Sequence, residues 1–204
     1  VAQTRAAHTR RRVLLAAAGE LAQHGYSGTS LARIASRAGV TMGALTFHFP
    51  TKPALAKGVY EDGAASTRTA VDRALGRSRL PLQNVIDITH EVARLLRTDA
   101  SVRAACRLSR EEAGAGCTWH RLWLGDVERL AGEAQAGGHL GEKCSAGLLC
   151  VLVVCMLAGL DAPAAHTSGS VAEDLDTLSR LWGLVLGSVA APRSPALLPG
   201  GSPS

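Results

Sequence analysis

The sequence predicts an all-α fold, an N-terminal three-helix helix-turn-helix head carried on a larger helical body. Three observations predict it. Two short helical patterns meet at Ala38-Gly39-Val40 with no room for a loop, which is the spacing of a helix-turn-helix. Beyond about residue 65, apolar residues recur at helical spacing in one segment after another. Aromatic residues are scarce at 3%, while alanine, leucine and valine abound, which suits close helix packing and argues against a β-sandwich. At 204 residues the chain can bury one sizeable core plus a small head.

The elements follow in order. An amphipathic first helix carries Arg10-Arg11-Arg12 and Ala16-Ala17-Ala18. Ser30 stands before Leu31, Ile34 and Ala35, apolar positions of one helix face, and is a candidate N-cap. Gly39 falls where the turn needs positive φ, which glycine adopts without steric cost. Thr41 caps a second short helix running to about His48 with Leu45 facing inward, and Gly43 and Ala44 let its backbone approach a groove closely. Leu55 to Leu75 forms a linking helix with Gly58 and Gly63 as weak points, and Gly76 to Pro81 is a break. Leu82 to Thr98 carries Val85, Ile86, Thr89, Val92, Ala93 and Leu96 at helical spacing. A helix from Ala100 to about Ala113 is followed by a loosened Gly114-Ala115-Gly116. Thr118 caps a helix through about Gln135, and Gly137-Gly138 precedes a turn. An apolar helix ends at Leu160, Asp161 to Ser170 is a loop, and Val171 to about Val189 places Leu175, Leu178, Leu181, Trp182 and Val185 on one face. From Pro192 onward Pro, Gly and Ser dominate, and disorder is expected.

Charge divides the chain. Residues 1–60 hold Arg5, Arg10, Arg11, Arg12, Arg33, Arg37, Lys52 and Lys57 against the single acid Glu20, a net of +7. The remainder is −2, so the overall +5 is a basic head on a slightly acidic body. Such a head attracts polyanions, and each phosphate neutralised releases counterions.

Other classes find little support. Cys106, Cys117, Cys144, Cys150 and Cys155 are odd in number and lack C-x-x-C spacing, against both a metal finger and a disulfide framework. Cys150 and Cys155 sit in the most apolar stretch, where cysteine acts as a small hydrophobe, and Cys117 is the candidate for reactivity. His90 with Glu91, and His120 near Cys117, sit in no nucleophile elbow or metal spacing, so no enzyme, cofactor or metal is expected. The run from Gly147 to Leu160 is about 14 residues, short of the roughly 20 a membrane span needs. With no cleavable apolar leader evident, a cytoplasmic chain without a membrane partner is expected.

Residues 9–60 resemble the N-terminal domain of the TetR family of bacterial repressors. The resemblance runs from Thr9-Arg10 through Leu21, Gly25-Tyr26, Ile34-Ala35 and Ala38-Gly39-Val40 to Phe47-His48-Phe49-Pro50-Thr51-Lys52. Gly-Ala-Leu-x-Phe-His-Phe at 43–49, Val102 to Leu108 and Trp119 are similar to the γ-butyrolactone receptor branch of actinomycete regulators.

The resemblance implies a homodimer that binds a near-palindromic double-stranded DNA operator as a transcriptional repressor. Arg10, Ser30, Thr41, Gly43, Ala44, Phe47, His48 and Lys52 would lie at or near the DNA. Met42 stands where lysine is usual and Thr46 where tyrosine is usual, departures that predict weaker backbone contact. The implied division is 1–53 for the DNA-binding domain, 54–191 for ligand binding and dimerisation, and 192–204 for the tail. Helices at roughly 145–160 and 171–189 would build a four-helix bundle with the partner's. Trp119 matches the branch's pocket tryptophan, though packing beside Trp123 is the bland alternative. Thr89, Leu108, Trp123 and Val151 are its candidate neighbours around a γ-butyrolactone, butenolide or furan effector. Two further readings stay open: an orphan pseudo-receptor sensing an antibiotic or intermediate, and a DNA-binding dimer with no ligand.

Overall fold

Helix follows helix along the chain. The computed structural model describes residues 2–111, 119–160 and 170–203. Among them run α1 (Ala2–His24), α2 (Leu31–Ala38), α3 (Met42–His48), α4 (Lys52–Leu75), α5 (Pro81–Thr98), α6 (Ala100–Glu111), α7 (Arg121–Ala136), α8 (Ala146–Leu160) and α9 (Val171–Val189). The only extended pairing among the described residues is an isolated antiparallel bridge between Leu140 and Ala190. The fold is all-α. Gly114 to Gly116, Cys117, the cap expected at Thr118 and residues 161–169 of the expected loop lie outside the described residues.

The chain divides into two units, residues 1–66 with 99–120, and residues 67–98 with 121–204. The first unit gathers α1, α2, α3, the start of α4, and α6. Its core joins Val13, Leu14, Ala17, Ala18 and Leu21 of α1 to Ile34, Ala35, Leu45, Phe49, Leu55, Val59, Ala104 and Leu108. Each large aliphatic side chain buried this way contributes about 1.5–3 kcal/mol. Alanines at 17, 18 and 104 let α1 and α6 pack closely. A head ending at residue 53 would lack Leu55, Val59, Ala104 and Leu108, which explains why the unit is larger than the expected domain.

Two polar ties hold α6 in this unit. The Arg107 Nη1 donates to the carbonyls of Ala22 (3.2 Å) and Gln23 (2.8 Å) at the end of α1. The Glu111 carboxylate accepts from the Tyr26 amide at 2.7 Å and from Arg107 Nε at 2.9 Å. Gly63, expected to weaken α4, instead marks its close approach to α6. A Cβ at that position would lie 2.4 Å from the Ser101 carbonyl oxygen. The Ser101 hydroxyl donates to Asp62 Oδ2 there, at 2.7 Å.

In the second unit α5 packs against α7, α8 and α9. Pro81 opens α5, as suits a first-turn position whose amide needs no helical partner. Val85, Ile86, Ile88, Val92 and Leu96 are buried, and so are the polar Gln83, Asn84, Asp87, Thr89 and Glu91. Burial on this scale requires partners. Trp182 Nε1 donates to Thr89 Oγ1 at 2.9 Å, Arg77 and Arg94 pair with Glu91 at 2.7 and 2.6 Å, and Arg97 pairs with Asp174 at 2.7 Å. Ser170 and Glu173 close a capping box at the start of α9, satisfying amides the helix leaves open.

The C-terminal segment departs from the expected disorder. The Leu198 amide donates to Gln83 Oε1 and the Ser202 amide to Asp87 Oδ1, both at 2.7 Å. Gln83 Nε2 returns a bond to the Leu198 carbonyl at 3.2 Å. Backbone groups bonded to buried side chains of α5 order a segment whose composition alone reads as disordered.

Candidate nucleic-acid interface

The turn between α2 and α3 is built by three local devices. Ser30 is the N-cap of α2, its hydroxyl accepting from the Arg33 amide at 3.2 Å. Gly39 ends α2 with φ 62 and ψ 39, the left-handed conformation the turn demands. The Gly39 and Val40 amides donate to the Ser36 and Ala35 carbonyls, both at 3.0 Å. Thr41 then caps α3, accepting from the Ala44 amide at 3.1 Å. These are the caps and the glycine that the sequence predicts.

Long-range contacts fix the two helices in the head. Leu45 is fully buried and anchors α3. Arg12 Nη2 donates to the Ala38 carbonyl at 2.6 Å and to the Gly39 carbonyl at 3.3 Å, so α1 closes the end of α2. Glu20, buried on α1, receives Arg37 at 2.8 Å and Arg33 at 3.4 Å, with His24 at 3.9 Å. Burial pushes the Glu20 pKa up, but the Arg37 and Arg33 hydrogen bonds outweigh it and hold the carboxyl below its ordinary value. The single acid of residues 1–60 therefore serves as an internal tie.

The opposite face of α3 is open. Phe47 is 79% exposed and Met42 42%, and no atom lies within 4 Å of where a side chain on Gly43 would begin. Thr41 is exposed, while Ala44, Thr46 and His48 are half-buried. The Thr46 hydroxyl turns back onto the helix, 3.0 Å from the Met42 carbonyl and 3.2 Å from that of Gly43. Phe47 and His48 meet edge to face with centroids 5.2 Å apart. Two candidate cations of the head lie over aromatic rings. Arg10 lies over the Phe49 ring at 5.1 Å, and Lys52, at the start of α4, lies over the Tyr26 ring at 4.4 Å. Arg10, Ser30, Thr41 to Ala44, Thr46 to His48 and Lys52 thus all belong to the head unit.

The residues expected around an effector fall in both units. Leu108 and Trp119 belong to the first unit and Thr89, Trp123 and Val151 to the second. Leu108 fills the head core, and the Trp119 amide donates to the buried Ser109 hydroxyl at 2.9 Å. Thr89 is engaged by Trp182, and Trp123 is buried. Val151 is 58% exposed, in line with Leu148 and Val154 on the outer side of α8. That row on α8, and Leu184 on α9 at 79% exposure, are exposed apolar side chains the sequence does not separate from the core, because α8 is apolar all round. The buried polar row of α5 is a second feature missed, its signal being Gln83, Asn84 and Asp87 inside an otherwise helical apolar pattern. No helix among the described residues is long and apolar enough to cross a membrane.

Comparison with known proteins agrees with this geometry. Residues 13–59 match the family described as bacterial regulatory proteins, tetR family. The A-factor receptor protein of Streptomyces griseus is 28% identical over 192 residues, covering 93% of this chain and 67% of that protein. The solved structure of TylP, a TetR regulator from Streptomyces fradiae, is 31% identical, spans 91% of this chain and 88% of its own, and superposes with a TM-score of 0.60. A γ-butyrolactone receptor described as ArpA-like superposes with a TM-score of 0.76 at 23% identity, over 92% of this chain and 91% of its own. The chain belongs to the TetR family of DNA-binding bacterial regulators and is not an enzyme.

Proposed function

We propose that the chain is a ligand-responsive transcriptional repressor of the cytoplasm. It binds a near-palindromic operator as a homodimer and leaves it when a small γ-butyrolactone, butenolide or furan occupies the body. The observation that carries this reading is the capped α2–Gly39–α3 turn, which anchors α3 by Leu45 and leaves Met42, Gly43 and Phe47 open. We assign Thr41 to Ala44, Phe47 and His48 to the groove and Arg10 and Lys52 to phosphates, with Ser30 and Thr46 at its edge. Similarity to the A-factor receptor protein supports the class of ligand.

The apolar row Leu148, Val151 and Val154, with Leu184, supports pairing of two copies through α8 and α9. We place Val151 in that interface on the strength of its exposure. Within the second unit, Asn84 Oδ1 and Asp87 Oδ2 are buried without a hydrogen-bond partner, acceptors that an effector carrying hydroxyl groups would satisfy, and we keep Thr89 and Trp123 of the same unit as effector residues. Release is a population shift, in which the effector prefers the state whose recognition helices no longer match one turn of duplex. Near-complete reversal needs a preference of order 10⁴-fold.

A gel shift on the DNA upstream of the chain's own gene tests this, with and without a synthetic γ-butyrolactone. A band that the lactone dissolves is the expected result. A band that persists favours the orphan receptor, a reading that the basic balance of +5 and the inward-turned Thr46 hydroxyl also favour. Absence of any band removes the repressor reading.

A further inference from the structure

The side chains of α3 restrict how bases are read. Between Thr41 and Phe49 there is no Arg, Lys, Asn, Gln, Asp or Glu, the residue types that recognise base edges with paired or charged hydrogen bonds. The Thr46 hydroxyl donates within the helix, and that of Thr41 is engaged at the cap. His48 is half-buried against Phe47. What the helix extends outward is apolar: Phe47 at 79% exposure and Met42 at 42%, beside the open backbone at Gly43.

An apolar side chain in the major groove distinguishes one feature well, the 5-methyl group of thymine. Cations of the head, such as Arg10 and Lys52, would hold phosphates and set position, contacts that carry no sequence information of their own. We propose that this chain reads its operator chiefly through thymine 5-methyl groups packed on Phe47, in place of hydrogen bonds to base edges. The inference rests on α3 being the recognition helix.

Deoxyuridine tests it, because it keeps every hydrogen-bonding group of thymidine and lacks only the methyl. A random-core duplex library made with thymidine is enriched on the purified full-length chain. The enriched duplexes are then resynthesised with deoxyuridine in place of thymidine. Affinity is expected to fall about fourfold for each contacted methyl, and roughly 15-fold for a dimer engaging one in each half-site. Phe47→Ala, a change at an exposed position expected to leave the melting temperature unaltered, should bind both duplexes alike. Equal affinity of the unaltered chain for both duplexes overturns the inference while leaving DNA binding intact. Discrimination that survives in Phe47→Ala overturns the assignment to Phe47. Failure to enrich any duplex overturns the DNA-binding reading itself, and the inference with it.

Discussion

Arg37 Nη1 stands 2.8 Å from Glu20 Oε1, joining α2 to α1 through a carboxylate whose side chain is 3% exposed. Arg33 reaches the other oxygen at 3.4 Å. Both arginines come from the helix that leads into the turn, so the orientation of α3 depends on an acid 22 residues before its first residue, Met42. Arg33 and Arg37 are half-exposed, which limits the strength of the pairs, while the buried Glu20 carboxylate depends on them for its charge-assisted hydrogen bonds.

Glu20→Gln should lower stability at pH 7 by about 1–3 kcal/mol, the scale of hydrogen bonds to charged groups. Because folding depresses the Glu20 pKa, its contribution is full above the ordinary value of 4.5 and is lost as pH falls through the lower folded value. Urea denaturation of the two proteins from pH 7 to pH 3 should show the gap closing below about pH 4.5. A gap that stays constant to pH 3 contradicts the ion-pair account.

Gly63→Ala should destabilise the chain by about 1–3 kcal/mol, since its Cβ would meet the Ser101 backbone, which cannot rotate aside. Gly125→Ala is the control. That glycine lies inside α7 with no atom within 4 Å of its would-be Cβ, and alanine there should stabilise by about 0.5–1 kcal/mol. Thermal melts of the two variants should move in opposite directions.

Met42→Lys should tighten binding to every duplex tested, because a new cation beside the groove meets phosphate. The slope of log affinity against log salt should steepen by about 0.9 per added contact, close to 2 for a dimer. Filter binding at several salt concentrations measures both. An unchanged slope would mean that residue 42 stands away from the backbone.

Val151→Glu should leave a folded chain that sediments as a monomer, since the residue is exposed in the single chain and apolar in company. Operator affinity should drop at least about tenfold, the cost of losing one half-site contact. Sedimentation equilibrium at dimer mass, with an altered response to lactone, would return Val151 to the effector site.

The turn was legible because its causes are local. Ser30, Gly39 and Thr41 each act within four residues of themselves, and all three do what their chemistry predicts. Helices α5 and α9 were legible from the spacing of their apolar residues. Choices between distant surfaces were not. The apolar α8 shows no polar side to mark which way Val151 points. Gly63 looks like a helix weakness until Ser101 is brought beside it. The division that puts Leu108 in one unit and Thr89 in the other is not readable from register along each helix. The C-terminal segment is ordered by Gln83 and Asp87, more than a hundred residues before it.

The head is written in two separate stretches of the chain, 1–66 and 99–120. A single genetic crossover near residue 66 would carry away the helix-turn-helix and leave behind Ala104, Leu108 and the Arg107 tie that complete it. On the proposed reading of α3, operator preference changes most readily by point changes at Met42, Gly43 and Phe47, which bear no core duty. Heredity can retune what this protein reads one surface residue at a time, but it cannot lift the reader out whole.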